Sequence, residues 1–350
     1  MTSKKELRIG VNGFGRIGRA VTRILLARNR GKVVHVNDVN PDNANLAYLL
    51  KYDTTYGRLA EEVTADESSM RIGADRVQLT HQSDIAQVDW EKSEVDVVIE
   101  ATGVSLNEKN SRTVAARDIP VIVTHACPSA DFTLIFGVTD SQFDPARHKV
   151  VSTSICDANA AAPVLKALND AFGIESGFVT SLHPWLSYQN LMDGPSRSQA
   201  YPGATYSHYA LGRSSVGSLI PKPTTLVTAC ERALPELKGV LKCMSYRVPT
   251  ACVSSADMTL NLKKSTSEKD ILELFKAVQA RQENRSVIRI TDEPLISVDY
   301  LKDDHSCIID TRWLMLNQES HLKVVLWYDN EWGYSSRVAD TVGLMARRNG

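Results

Sequence analysis

The sequence lacks several features that would narrow its function at once. Its 350 residues include six cysteines, with no CxxC pair and none of the spacings that are typical of zinc sites. We therefore expect reduced thiols, no disulfide framework and no metal centre. The chain has no run of 18 apolar residues, and its first residues lack the apolar core of a signal peptide. These absences predict a cytoplasmic protein without a membrane segment.

Positive and negative residues are nearly equal in number. The chain has 40 Lys and Arg residues against 41 Asp and Glu residues, a formal net charge of −1. It therefore lacks the basic field that would favour nucleic acid and the polybasic run that would favour a membrane surface. Its 43% hydrophobic residues are typical of globular proteins, and its length suits two domains. The composition therefore argues against nucleic acid and a membrane as partners.

A glycine-rich motif follows the first apolar run of the chain. Residues 7–11 have strand character, the residues after the motif have helical spacing, and between them stands Gly13-Phe-Gly-Arg-Ile-Gly18. In this setting Gly13 makes a tight turn, Gly15 lets the backbone approach a pyrophosphate, and Gly18 lets the helix pack on the strand. The pattern predicts a dinucleotide site, and a glycine-rich turn in another type of α/β protein is the alternative.

Apolar runs that end in small or polar residues recur along the first half. Residues 33–38 end in Asp38, an acid that can bind both ribose hydroxyls and would repel a 2′-phosphate, which favours NAD over NADP. Further predicted strands are residues 96–100, 120–124 and 134–138. Strands separated by helical stretches predict a mostly parallel sheet with ligands at the carboxyl ends of its strands. Thr102, Gly103 and Thr124 then lie where a nicotinamide would bind, although plain strand-end loops would look the same.

The second half has many strand-like runs and few helices. The predicted strands are residues 177–183, 246–250, 254–262, 297–300, 307–310 and 323–328. They indicate a largely antiparallel sheet in an α+β domain that follows the α/β domain. The first of these strands ends in His183, and the long segment after it is typical of a functional loop or an interface.

Cys156 precedes an alanine- and leucine-rich stretch that predicts a helix. We expect the cysteine at or just before the first turn, where the helix dipole and unpaired N–H groups favour a thiolate. That position suits a nucleophile. A small buried hydrophobic residue is the competing interpretation, because most cysteines have that role.

Motifs spread along the chain resemble those of one enzyme family. They are Gly10-Val-Asn-Gly-Phe-Gly-Arg-Ile-Gly-Arg19, Leu50-Lys-Tyr-Asp-Thr-Thr-Tyr-Gly57, Ala101-Thr-Gly103, Pro128-Ser-Ala-Asp131, Cys156-x-x-Asn159, Arg247-Val-Pro-Thr250 and Trp327-Tyr-Asp-Asn-Glu-Trp-Gly-Tyr334. Over essentially its whole length the chain resembles the glyceraldehyde-3-phosphate dehydrogenases. The resemblance implies a Rossmann NAD-binding domain over residues 1–155, with a C-terminal helix at about 336–350 packed back on it. It also implies a catalytic domain over residues 156–335 and a homotetramer.

The same resemblance assigns roles to individual residues. It makes Cys156 the nucleophile and His183 its base in the NAD-dependent oxidation of an aldehyde through a thiohemiacetal and a thioester. The implied cofactor contacts are Gly13, Phe14, Gly15, Arg16, Ile17, Asp38, Thr102, Gly103, Thr124 and Asn330. The implied substrate contacts are Arg247, Thr224 and Asp157.

The sequence departs from the family pattern where the substrate should be held. Ser-Cys-Thr-Thr-Asn becomes Ile155-Cys-Asp-Ala-Asn159, which removes two hydroxyls and places Asp157 beside the pocket. A carboxylate there disfavours a phosphate dianion and should raise the pKa of Cys156, unless Asp157 merely caps the helix. Leu186, Tyr188 and Leu211 stand where the family has a hydroxyl, an acid and an arginine, while Arg247 remains as an anion clamp.

These departures leave more than one function open. Glyceraldehyde 3-phosphate is the first expected substrate. A second possibility is a dehydrogenase of another aldehyde, either erythrose 4-phosphate or a less phosphate-dependent substrate, that releases acid by hydrolysis. A third is a catalytically weakened NAD-binding paralogue.

Overall fold

The computed structural model describes residues 6–282 and 285–345. The strands are β1 Arg8–Asn12, β2 Lys32–Asn37, β3 Val63–Ala65, β4 Ser69–Ile72, β5 Asp75–Thr80, β6 Val97–Glu100, β7 Val121–Val123, β8 Phe132–Thr133, β9 Val150–Ser152, β10 Ile174–Pro184, β11 Ile220–Lys222, β12 Leu241–Val248, β13 Ser254–Leu262, β14 Ile288–Thr291, β15 Cys307–Asn317 and β16 His321–Tyr328. The α-helices are α1 Arg16–Arg28, α2 Asn43–Lys51, α3 Ser105–Ala115, α4 Cys156–Phe172, α5 Leu226–Ala233, α6 Glu268–Ala280 and α7 Trp332–Met345. Short 3-10 turns lie at Ile85–Gln87, Glu91–Ser93, Asp140–Gln142, Tyr209–Gly212, Pro235–Leu237 and Ser297–Tyr300.

The described residues form two compact units. The first contains residues 6–134, 142–154 and 335–345, and the second contains residues 135–141, 155–282 and 285–334. Helix α7 begins at Trp332, earlier than the C-terminal helix that the sequence predicts, and residues 346–350 of that prediction lie outside the described residues. No helix within the described ranges is long and apolar enough to cross a membrane.

A mostly parallel sheet forms the first unit. Its strand order is β3-β4-β5-β2-β1-β6-β7-β9-β8, with antiparallel pairing only at β3–β4 and β4–β5. Strands β1, β6 and β7 are apolar and almost completely buried, as expected for a sheet covered on both faces. The ends of β2, β1, β6 and β7 therefore lie side by side at one edge, as the sequence predicts.

A mixed, largely antiparallel sheet forms the second unit, in the order β11-β12-β10-β13-β16-β15-β14. Parallel pairing occurs at β10–β12 and β14–β15. Helix α4 packs on β13 and β16, and its small residues Ala158, Ala161 and Ala162 are completely buried. This packing fixes the start of α4, at Cys156, beside the sheet.

Residues 134–138 do not form the predicted strand. Strand β8 ends at Thr133, and the following residues form a turn in which Thr139 N–H donates to the Ile135 carbonyl at 2.9 Å. Gly137 has a φ of +79°, which suits a turn and not a strand. Phe136 is buried there, so burial without strand pairing explains the apolar run.

Residues 297–300 do not form the strand that the sequence predicts, so this prediction is wrong. They form a 3-10 turn, in which the Asp299 carboxylate accepts a hydrogen bond from the Ile296 N–H at 2.8 Å. Tyr300 is completely buried, next to Trp327 at a ring-centroid distance of 5.3 Å. The local carboxylate–backbone bond favours a turn over the β-propensity of the valine and tyrosine.

Candidate active site

The glycine-rich turn lies at the carboxyl end of β1. Gly13 has a φ of +90°, and a Cβ there would lie 2.8 Å from the backbone of Thr102. A Cβ on Gly18 would lie 2.1 Å from the Gly13 carbonyl oxygen. Around Gly15, by contrast, the Cβ position has no atom within 4 Å, and no side chain caps the start of α1. The helix N-terminus is thus open to an anion such as a pyrophosphate.

The other predicted cofactor residues of the first unit lie at the same edge. Asp38 follows β2, and its carboxylate accepts a hydrogen bond from the Phe14 N–H at 2.6 Å. Thr102 and Gly103 follow β6, and Thr124 follows β7, where its hydroxyl donates to the Glu100 carbonyl at 3.0 Å. Backbone, carboxylate and hydroxyl groups at the ends of four neighbouring strands are therefore gathered at one edge of the sheet.

Three predicted cofactor residues have other surroundings. The Arg16 guanidinium pairs with Asp53, and Ile17 is half-buried in the first turn of α1. Asn330 belongs to the second unit, where its side-chain oxygen lies 3.5 Å from the Cys252 sulfur. Their contact with a cofactor stays a prediction.

A buried polar network that the sequence analysis missed supports this edge. The Glu100 carboxylate accepts hydrogen bonds from the Asn12 amide and from the Thr102 N–H, the latter at 2.9 Å. Asn37 donates in turn to the Asn12 side-chain oxygen at 2.7 Å. Burial raises the pKa of Glu100 to about 7. The signal was available, because three predicted strands, which are neighbours in the sheet, end at or next to Asn12, Asn37 and Glu100.

Cys156 and His183 meet in the second unit. Cys156 is the first residue of α4, as predicted, and His183 lies near the end of β10. The Cys156 sulfur lies 3.6 Å from the Nε2 atom of His183. The Nδ1 atom of His183 lies 2.8 Å from the Pro184 carbonyl oxygen, an acceptor, so Nδ1 carries the proton in the neutral ring. The lone pair of Nε2 therefore faces the sulfur.

Burial sets the charge of this pair. It lowers the pKa of His183 to about 4, with a further contribution from the positive charge of Arg247. It raises the pKa of Cys156 well above its ordinary value, and the Asp157 carboxylate adds to the effect. Burial and the Asp157 carboxylate both favour the thiol over the thiolate, which opposes the predicted effect of the helix N-terminus. Burial likewise favours the neutral imidazole of His183.

Asp157 points towards the thiol and does not cap the helix. The N-cap of α4 is Ile155, and Asp157 is buried, with one carboxylate oxygen 2.8 Å from the Tyr328 hydroxyl that donates to it. The same oxygen lies 3.5 Å from the Cys156 sulfur. The sequence left two roles open for Asp157, a helix cap or a carboxylate beside the pocket. The structure shows the second.

The predicted substrate residues Arg247 and Thr224 lie in the same unit. Arg247 is buried, and its guanidinium donates to the Pro184 carbonyl at 3.5 Å and to the Tyr188 hydroxyl at 3.4 Å. Its Nε atom is buried and has no hydrogen-bond partner. The Thr224 hydroxyl accepts a bond from the Leu226 N–H at 3.3 Å, just before α5. Arg247 thus retains a free donor for a ligand.

Lys222 is a second cation that the sequence analysis missed. Strand pairing sets Lys222 opposite Ser245 and His183 beside Arg247, so Lys222, His183 and Arg247 lie on one face of three adjacent strands. Burial, and then the charge of Arg247, lower the pKa of Lys222 to about 8. Alternate residues of β12 share one face, which could have indicated the position of Arg247. Strand β11 has only three residues and is too short to recognise in the sequence.

Comparison with known proteins identifies the family. Residues 7–108 match the family described as "Glyceraldehyde 3-phosphate dehydrogenase, NAD binding domain", and residues 155–330 match "Glyceraldehyde 3-phosphate dehydrogenase, C-terminal domain". The chain is similar to Glyceraldehyde-3-phosphate dehydrogenase 2 of Bacillus subtilis, with 36% identity over 98% of each chain. Identity to the Kitasatospora aureofaciens enzyme is 37%, over 97% of this chain and 99% of the relative. Identity to the cytosolic enzyme of Chlamydomonas reinhardtii is 34%, over 98% of each chain.

These matches confirm the predicted fold class, a Rossmann domain followed by an α+β catalytic domain, and they confirm NAD as the cofactor. They also confirm that the protein is an NAD-dependent dehydrogenase. The chain belongs to the glyceraldehyde-3-phosphate dehydrogenase family.

Proposed function

We propose that the protein oxidises glyceraldehyde 3-phosphate with NAD, through a covalent intermediate on Cys156. The observation that carries the proposal is the 3.6 Å contact between the Cys156 sulfur and the unprotonated Nε2 atom of His183. A thiol beside a neutral imidazole whose other nitrogen is held by a carbonyl is suited to nucleophilic attack on a carbonyl carbon. The names of the relatives support the choice of aldehyde.

The first step uses both residues. The Cys156 sulfur attacks the aldehyde carbon, and the thiol proton passes through His183 Nε2 to the carbonyl oxygen, which gives a thiohemiacetal. His183 then takes the hydroxyl proton while a hydride leaves the same carbon, and a thioester remains on the sulfur. The low pKa of His183, about 4, keeps the ring available as a base at neutral pH.

Bound NAD supplies the hydride acceptor. The open N-terminus of α1 at Gly15 suits its pyrophosphate, and Asp38 suits a ribose that carries no 2′-phosphate. Phe14, Thr102, Gly103 and Thr124 lie at the same edge of the sheet and would orient the remaining parts of the cofactor. Because Phe14 already donates its N–H to Asp38, one oxygen of that carboxylate is set before the cofactor binds.

An anionic group on the aldehyde would be held by Arg247 and Lys222. Both cations lie on the face of the sheet that also carries His183. The buried Nε atom of Arg247 without a partner is a donor that such a group can satisfy. The departures from the family pattern remove hydroxyls and an arginine that would hold an anionic group. The positive charge of Lys222 offsets part of this loss.

Single-turnover formation of NADH with glyceraldehyde 3-phosphate tests the proposal. A burst of about one NADH per chain is expected from the wild type and none from Cys156→Ser. If the wild type gives no burst while Cys156 still reacts with iodoacetamide, the aldehyde is wrong. If Cys156 is also unreactive, the interpretation as a weakened NAD-binding paralogue replaces the proposal.

Hydrolytic release of acid is the second candidate for the last step, and Asp157 favours it. A buried carboxylate 3.5 Å from the sulfur repels a phosphate dianion that approaches the thioester, whereas water carries no charge. Erythrose 4-phosphate is the alternative aldehyde for such a reaction. Turnover of both sugars with and without inorganic phosphate distinguishes transfer of the acyl group to phosphate from its hydrolysis.

The homotetramer and the cytoplasmic location belong to the same proposal. On the exposed face of the second sheet, Phe178 and Met315 stand at the two ends of one cross-strand row, separated by Thr259 and Lys323, and are 68% and 46% exposed. Exposed aromatic and methionine side chains are enriched in protein–protein interfaces. Sedimentation analysis is expected to give a tetramer, and Phe178→Asp is expected to dissociate it; a monomeric wild type would contradict the proposal. The cytosolic relative supports the location.

A further inference from the structure

Three side chains with metal-ligating atoms converge at the start of α4. Within the described part of the chain, Cys156, Asp157 and His183 form a group whose ligand atoms all lie within 4.8 Å of one another. We propose that this triad binds a thiophilic divalent cation, zinc in the first place, and that the metal reversibly blocks the Cys156 sulfur. The sequence alone does not indicate such a site, because two ligands are adjacent and the third, His183, follows 27 residues after Cys156.

Two of the three edges of the triad already have the dimensions of a tetrahedral zinc site. Zinc–sulfur and zinc–nitrogen bonds of about 2.3 and 2.0 Å place a sulfur and a nitrogen ligand about 3.5 Å apart. The observed distances from the Cys156 sulfur are 3.6 Å to His183 Nε2 and 3.5 Å to the Asp157 carboxylate. The third edge, between nitrogen and oxygen, is at most 4.8 Å and closes by rotation of the carboxylate.

The groups behind the ligands also suit a metal. A histidine ligand ordinarily donates its other N–H to a carbonyl or carboxylate, which fixes the ring. Here the Nδ1 atom of His183 lies 2.8 Å from the Pro184 carbonyl. The Asp157 carboxylate is held by the Tyr328 hydroxyl at 2.8 Å, which leaves lone pairs for a metal. The imidazole of His183 is therefore oriented before a cation arrives, and the Asp157 carboxylate already lies beside the sulfur.

The charges of the site balance when a metal binds. The thiol proton leaves to solvent as the sulfur–metal bond forms, and the thiolate with the Asp157 carboxylate neutralises the two positive charges of zinc. Arg247 and Lys222 lie on the same sheet face as His183 and add positive charge to the site. We therefore expect an anion or hydroxide at the fourth position, opposite the protein ligands.

Asp157 is what distinguishes this site from an ordinary cysteine–histidine pair. Two ligands alone hold zinc weakly, whereas three protein ligands and one exogenous ligand make the usual open zinc site. Binding of the metal does not depend on the proposed function, but inhibition does, because it requires Cys156 to be the nucleophile. The two claims can therefore fail separately.

Cobalt titration of the full-length, metal-stripped protein tests the site. The experiment uses a phosphate-free buffer with a phosphine reductant, since phosphate and thiol reductants bind the metal. One Co²⁺ per chain should bind, with a thiolate-to-cobalt charge-transfer band and intense visible bands of tetrahedral cobalt, and zinc should displace it. Zinc should also slow iodoacetamide labelling of Cys156, and a chelator should restore the rate.

Variants decide whether the triad is the site. Cys156→Ser should abolish the charge-transfer band, and Asp157→Asn should weaken affinity by at least about tenfold. Asp170→Asn, on the same helix but exposed, is the matched control and should bind like the wild type. Urea unfolding of each variant shows that it is folded. A band that survives in Cys156→Ser, or equal affinity in Asp157→Asn and the wild type, would overturn the proposal. Cobalt binding without NADH formation from any aldehyde would leave the metal site standing and remove the proposed function.

Discussion

The Tyr328 hydroxyl donates a hydrogen bond of 2.8 Å to the buried carboxylate of Asp157. This bond holds the carboxylate next to the Cys156 sulfur. The family pattern that the chain resembles has a neutral hydroxyl at this position. The sulfur therefore faces two partners of opposite effect, a base in His183 and a negative charge in Asp157. The balance between these two effects determines how readily the thiol loses its proton and becomes a nucleophile.

Removal of the Asp157 charge should make Cys156 more reactive. Asp157→Asn keeps an oxygen for Tyr328 but removes the charge that raises the pKa of Cys156. We expect iodoacetamide labelling at pH 7 to become faster, because a lower pKa of Cys156 raises the fraction of thiolate. Mass spectrometry of the labelled peptide measures the rate. Asp170→Asn is the control, and an unchanged rate in Asp157→Asn would show that the carboxylate does not control the thiol.

Replacement of His183 should slow the chemistry and leave substrate binding nearly intact. In His183→Asn the sulfur loses its base, so kcat should fall roughly 10²- to 10⁴-fold, with little change in KM. The exposed His321→Asn is the matched control. Because burial lowers the pKa of His183 to about 4, protonation of the ring should not limit the wild-type rate above about pH 5. A wild-type rate that falls below pH 7 with an apparent pKa near 6.5 would contradict this account.

Loss of Lys222 should affect only aldehydes that carry an anionic group. Lys222→Met should raise the KM for glyceraldehyde 3-phosphate about tenfold or more, because a charge-assisted hydrogen bond is lost, and should leave glyceraldehyde unaffected. Since the pKa of Lys222 is about 8, the preference of the wild type for the phosphorylated aldehyde should weaken as pH rises through 8. Lys242→Met, exposed on β12, is the control. Equal losses on both aldehydes would contradict the role.

Glu100 should make the protein less stable as pH rises. Its pKa in the folded protein, about 7, lies above its ordinary value of 4.5, so the folded state binds more protons between these two values. Its favourable contribution is therefore fully present below pH 4.5 and is lost as pH rises through 7, by about 3 kcal/mol at most. Urea unfolding at pH 5 and pH 8 should show a smaller loss in Glu100→Gln than in the wild type. The exposed Glu67→Gln should behave like the wild type, and an identical loss in Glu100→Gln would refute the assignment.

The sequence was sufficient where one physical signal dominated. Gly13 and Gly18 could be assigned their tasks because only glycine fits a φ of +90° or a Cβ position 2.1 Å from a carbonyl oxygen. Cys156 was correctly placed at a helix start, since a polar run gives way there to alanine and leucine. Motif resemblance then supplied His183, which is far from Cys156 in the chain.

The parts that the sequence could not provide depend on contacts between distant segments. The direction of Asp157 is decided by Tyr328, which lies 171 residues away. Lys222 joins Arg247 only through the register of β11 on β12. The apolar run at residues 134–138 is buried as a turn, which periodicity cannot distinguish from a short buried strand.

The central claim is that Cys156 forms a thioester from glyceraldehyde 3-phosphate. Single-turnover NADH formation with this aldehyde, followed by the same trace with added phosphate, tests it most directly. The account predicts a burst of one NADH per chain that depends on Cys156, after which phosphate or water releases the acyl group. The absence of any burst from a protein that binds NAD and whose Cys156 reacts with iodoacetamide would contradict it.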